Sequence, residues 1–149
     1  MKKVLSIQKG FTLVELLVVV AVIGILSTLL VANFIGVRQR GRDAQRKSNL
    51  RQMQSALELY RADQAGYPTS LPACGAAFTS IDGKAIYMQK VPCDPSGVSY
   101  SYTSSDTTKY TVIGCLENSN DPEIDKDVNG NNINCTGSTT LWQYTLKNP

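Results

Sequence analysis

From Phe11 to Val37 the chain runs FTLVELLVVVAVIGILSTLLVANFIGV, 27 residues with a single ionisable side chain, Glu15. As a helix this stretch would be about 40 Å long, more than the roughly 30 Å hydrocarbon core of a bilayer. It exceeds the roughly 7–15 residues of a signal-peptide core, and no A-x-A site follows it. The expectation is a retained transmembrane segment, residues 11–37, preceded by a short leader, residues 1–10, that carries Lys2, Lys3 and Lys9 and no acid.

The helical pattern continues past the apolar run. Residues 38–65 contain no proline, and Leu50, Met53, Leu57 and Tyr60 recur at intervals of 3, 4 and 3, with Ala56 beside them. That spacing makes one apolar stripe on a helix whose opposite face is polar. Gly66 and then Pro68 supply a stop signal. A single helix of about 55 residues is predicted, greasy all round in its first half and amphipathic in its second, with Gly24, Gly36 and Gly41 as places where it could bend.

Residues 66–149 change texture to short β-prone segments between Ser, Thr, Gly, Pro and Asn. Val98–Thr103, Tyr110–Leu116 and Thr140–Leu146 read as strands. A small antiparallel sheet laid on the helical stripe would bury both apolar faces, which gives an α+β class with a globular β-rich head.

Charge is segregated in the same way. Residues 38–65 hold seven cations against three acids, and residues 66–149 hold five lysines against eight acids, so the net +3 hides a basic stem and an acidic head. Without the leader the side-chain charges balance, which argues against a chain that coats nucleic acid. There is no histidine, so the commonest general base and zinc ligand are missing and an enzyme is not expected. The four cysteines, Cys74, Cys93, Cys115 and Cys135, contain no CxxC pair and read as two disulfides formed beyond a membrane. Three pairings exist, of which Cys74–Cys93 with Cys115–Cys135 is favoured.

The segment Lys9-Gly10-Phe11-Thr12-Leu13-Val14-Glu15 closely resembles the processing site of type IV prepilins and type II secretion pseudopilins. The resemblance is strongest over residues 6–35. It implies a type IV pilin fold, cleavage after Gly10 by a prepilin peptidase, and methylation of the new N-terminal Phe11. A physical argument stands beside it. A carboxylate in hydrocarbon is unfavourable by about 2.5–3.5 kcal/mol, so Glu15 needs a partner. In a helical polymer it could pair with the Phe11 ammonium of a neighbouring subunit, and that pairing would set the axial register. The cation-rich flank after the apolar run conflicts with positive-inside bias. The cysteines and the strand-rich head nevertheless place the leader on the cytoplasmic side.

In the head, Pro92-Cys93-Asp94-Pro95-Ser96-Gly97-Val98-Ser99-Tyr100-Ser101-Tyr102 resembles the P-x-D-P-x-G-x-x-Y-x-Y region of major pseudopilins. It departs from them at Ser96, where they often carry tryptophan, and in its cysteines. Asp125, Asp127, Asn129 and Asn131, around Gly130, match the opening of a calcium loop, although Thr136 stands at the twelfth position in place of a bidentate Glu. The resemblance implies calcium there, and the alternative is a solvated Asn-Gly turn. No other cofactor is implied.

The leading expectation is a structural subunit of a type IV pilus-like filament, stored in the inner membrane and polymerised through its N-terminal helix into a periplasmic or extracellular filament. Its partners would be further copies of itself, the prepilin peptidase/N-methyltransferase, an inner-membrane assembly platform and, before assembly, lipid. The alternatives are a major pseudopilin of a type II secretion system and a DNA-binding competence pilin, the latter disfavoured by the acidic head. An anchored module that never polymerises is a third reading.

Overall fold

The computed structural model describes residues 10–148, with the side chains of residues 29–33 left aside. The leader positions before Gly10, including Lys2, Lys3 and Lys9, lie outside the described residues. The chain divides into two units, Met1–Val37 and Arg38–Pro149.

One helix, α1 (Leu13–Gln64), runs without interruption through Gly24, Gly36 and Gly41. In the first unit its side chains find no core: Phe11, Leu13, Val14, Ile25 and Leu26 are each more than half exposed. Among the described residues no helical stretch is long and apolar enough to cross a membrane. The expected 11–37 segment passes through residues 29–33, and beyond them Phe34, Ile35 and Val37 are again exposed.

The second unit has the predicted layers. Leu50, Met53, Ala56, Leu57 and Tyr60, the stripe expected from sequence, are all buried. They face a three-stranded antiparallel sheet ordered β3 (Ser101–Asp106), β4 (Lys109–Leu116), β5 (Trp142–Lys147). In the central strand Tyr110, Val112, Gly114 and Leu116 alternate inward, as period-two geometry requires. Gly114 packs directly against Leu50 of the helix. A Cβ there would lie 3.3 Å from both methyls of Leu50. A short hairpin, β1 (Phe78–Thr79) and β2 (Ile86–Met88), adds Phe78 and Tyr87 against Tyr60. The sequence reading omitted this hairpin because strands of two and three residues carry no measurable alternation.

The helix stop differs in detail from expectation. Ala65 takes the left-handed turn after Gln64, with φ 59°, a conformation usually given to glycine. Gly66 follows, where a Cβ would meet Thr107 Cβ at 2.8 Å. The glycine is therefore needed for a close approach to the β3–β4 turn, and the bend itself falls on alanine.

Candidate functional site

The site indicated by sequence lies at the start of α1. Thr12 is its N-cap. The Glu15 carboxylate accepts from the Thr12 backbone N–H at 2.9 Å and from the Thr12 hydroxyl at 2.9 Å, while Thr12 Oγ1 accepts from the Glu15 N–H at 3.2 Å. This reciprocal T-x-x-E arrangement is a capping box. It was legible in the sequence and was missed, because Glu15 was considered only as a charge in need of a distant partner. Here the residue starts its own helix. Gly10, immediately outside, is exposed, and a Cβ added there would meet nothing within 4 Å. Packing within the described chain therefore does not require glycine at this position.

A second constellation organises the head. Arg46, on α1 and nearly inaccessible, donates from Nε to Asp94 at 2.7 Å and from Nη1 to Asp43 and Glu117, both at 2.8 Å. Glu117 also receives Arg42 through a two-point contact. Asp43 in turn accepts the backbone N–H groups of Glu117 and Asn118, and Asp94 accepts the N–H and hydroxyl of Ser96. One turn along, Lys47 pairs with Asp121 and Glu123, and Arg51 with Glu123.

Burial of such charges is unfavourable unless each is paired and its remaining donors are met. Here every buried side-chain polar atom among the described residues has a partner. Hydrogen bonds from Arg42, with Arg46 behind them, outweigh burial and hold the Glu117 carboxyl down at about 2. Burial pushes the Asp94 carboxyl up, but Arg46 and Ser96 reverse that and leave it low. Burial likewise opposes the Arg46 charge, and its bonds to Asp94, Glu117 and Asp43 raise its pKa all the same.

Arg42, Arg46, Lys47 and Arg51 of the stem thus meet acids of their own head. Asp94, part of the Pro92–Tyr102 segment quoted from sequence, anchors its turn to α1 through Arg46. Asn49 reinforces it by donating to the Cys93 carbonyl at 3.1 Å and the Tyr100 hydroxyl at 3.0 Å. Tyr102 stacks near Tyr110 and donates to the Pro68 carbonyl.

The cysteines pair as favoured, Cys74–Cys93 and Cys115–Cys135. The first ties the chain after α1 to the Asp94 turn. The second closes the loop that carries Glu117, Asp121 and Glu123. Within that loop, Asp125, Asp127, Asn129 and Asn131 form a hairpin about Asn129-Gly130, with Asp127 N–H bonded to the Asn131 carbonyl and Lys126 bridged to Asn132. The Asp127 carboxylate accepts from the N–H groups of Asn129 and Asn131 and from the Asn131 amide. These bonds, led by the Asn131 N–H, lower its pKa. Asp125 is bonded to the Thr145 hydroxyl. A calcium ion takes 6–8 oxygen ligands from a loop wound around it. Here Asp127 bonds into its own hairpin and Asp125 to β5, and among the described residues no three His, Cys, Asp or Glu side chains converge to hold an ion, so the donor set does not fit the ion in this arrangement.

Comparison with known proteins supplies the family. Residues 5–31 match the prokaryotic N-terminal methylation motif, and residues 33–129 match the model of type II secretion system protein G. Several relatives bear the name type II secretion system core protein G. That of Klebsiella michiganensis is 33% identical over 105 residues, 65% of this chain and 74% of the relative. That of Pseudomonas aeruginosa is 31% identical over 108 residues, 67% and 76% respectively. That of Dickeya chrysanthemi is 27% identical over 137 residues, 85% and 88%. No solved structure matches the chain. The general expectation of a pilus-like subunit therefore gives way to its narrower alternative. A prepilin-type N-terminus joined to a head of this kind makes the chain a member of the type II secretion system protein G family.

Proposed function

We propose that this chain is the major structural subunit of a secretion pseudopilus. It would be processed after Gly10, methylated on Phe11, held in the inner membrane through residues 11–37, and polymerised through α1 into a periplasmic filament. The observation that carries this reading is the contrast between the two units. The second has a complete core of its own, whereas the first exposes nearly every apolar side chain described between Phe11 and Leu26. Apolar surface of that extent marks burial against lipid or protein, and successive burial in lipid and then in a bundle of identical helices meets the need. Gly10, which nothing in the described chain requires, fits recognition by a processing peptidase.

In this reading Glu15 has two roles: it caps α1, and its charge answers the Phe11 ammonium of a neighbouring copy. Four of the head's acids, Asp94, Glu117, Asp121 and Glu123, are committed to stem cations, and neither DNA binding nor catalysis is part of the proposal.

Deletion of the coding sequence, complemented by wild type, tests the role. The proposal expects loss of type II secretion with surface pili and twitching intact. Intact secretion together with lost pili or motility would return the chain to the pilus reading.

A further inference from the structure

We propose that the loop between Cys115 and Cys135 is held by a covalent and ionic clip in place of a bound divalent cation. The loop leaves the end of β4 and returns to the outer edge of β5. The Asp125 N–H donates to the Gln143 carbonyl at 2.8 Å, Gln143 N–H to Ile133 at 2.8 Å, and Cys135 N–H to Leu141 at 2.9 Å. An otherwise open strand edge is thereby covered. Ile124, midway along, is buried in the core.

A metal ion in such a loop draws carboxylates together and fixes the loop's ends. Both tasks are already done by other groups. The disulfide joins the ends across 20 residues of sequence. Glu117 is neutralised by Arg42 and Arg46, Asp121 by Lys47, and Glu123 by Lys47 and Arg51. Asp127 is satisfied by three donors of its own hairpin, and Asp125 by Thr145. Three of the roughly four acceptor sites of Asp127 are already taken, and the acids paired to α1 leave no surplus carboxylate to complete a shell. Order in this loop therefore depends on thiol oxidation and is independent of divalent metal. This inference stands whether or not the chain polymerises.

The test uses the full-length chain in mild detergent, carrying Cys74→Ser and Cys93→Ser so that only the Cys115–Cys135 bridge remains. Thermal unfolding is followed by fluorescence of Trp142, the sole tryptophan. The expected result is a midpoint unchanged within about 1 °C by EDTA or by millimolar calcium, and lowered by roughly 10 °C or more by dithiothreitol. A midpoint that EDTA lowers by several degrees and calcium restores, or one that reduction leaves in place, would overturn the proposal. Should the double variant fail to fold, wild type is nicked with trypsin at Lys126, an exposed loop residue. Faster cleavage is expected after reduction and not after chelation, and the reverse pattern counts against the clip.

Discussion

Replacing Arg46 by methionine removes the guanidinium while nearly preserving the stem volume. Two carboxylates, Asp43 and Asp94, are then left buried without a cation, and Glu117 keeps only Arg42. Breaking a buried pair from one side typically costs about 3–5 kcal/mol. The lower half of that range applies, because Asp43 retains the Glu117 and Asn118 N–H groups and Asp94 retains Ser96. Against a total stability of about 5–15 kcal/mol, a loss of about 3–4 kcal/mol is severe. With a urea m-value of about 1–1.5 kcal/mol/M, the Trp142 midpoint should fall by roughly 2–4 M.

The loss should also have a pH signature. Glu117 and Asp94 have depressed pKa values in the folded state. Such groups contribute stability above the ordinary carboxylate range, and that stability is lost as pH falls through the folded value. For Glu117 the window runs from 4.5 down to about 2. The difference between wild type and Arg46→Met should therefore be full at neutral pH and shrink below about 4.5. A penalty under about 1 kcal/mol at neutral pH, or one that stays constant on acidification, would refute the argument that this arginine holds the head together by charge.

Other substitutions probe separate features. Ala65→Gly relieves the left-handed backbone after α1 and should raise stability by about 0.5–1 kcal/mol in the same urea assay. Gly114→Val drives a side chain into Leu50 and should lower stability by about 1–3 kcal/mol. Gly10→Val should leave the fold alone yet leave the precursor uncut on an immunoblot of membranes. Glu15→Gln keeps a capping-box side chain but removes the charge. It should be processed normally and fail to enter filaments sheared from cells, and normal assembly would remove the register role while leaving the cap.

The long helix, its buried stripe and the strands β4 and β5 were legible because each rests on a periodic pattern several residues long, whereas β3 starts at Ser101, three residues after the expected Val98. Leu50, Met53, Leu57 and Tyr60 announce their face without any knowledge of what covers it. Other features depend on residues distant in sequence. Arg46 meets Asp94 and Glu117 across separations of 48 and 71 residues, and nothing local distinguishes it from Arg40 or Arg51. The opposite charges of stem and head were visible as totals, but the pairing within one chain was not. Gly66 was read as a helix stop when its neighbour Ala65 makes the turn, because a sequence shows that glycine is present without showing why. The Asp-rich loop is the converse case. Its residue types suit calcium, but Asp127 bonds within its own hairpin and Asp125 bonds Thr145, while the Cys115–Cys135 bridge closes the loop.

The most direct test of the central claim is the intact mass of the protein from cells with and without the prepilin peptidase. The account predicts, in cells with the enzyme, a chain beginning at Phe11, one methylene heavier and four hydrogens lighter than its sequence. Such a species reports processing, methylation and both disulfides together. A full-length, unmethylated chain in those same cells would contradict the account and leave an anchored protein that never becomes a filament subunit.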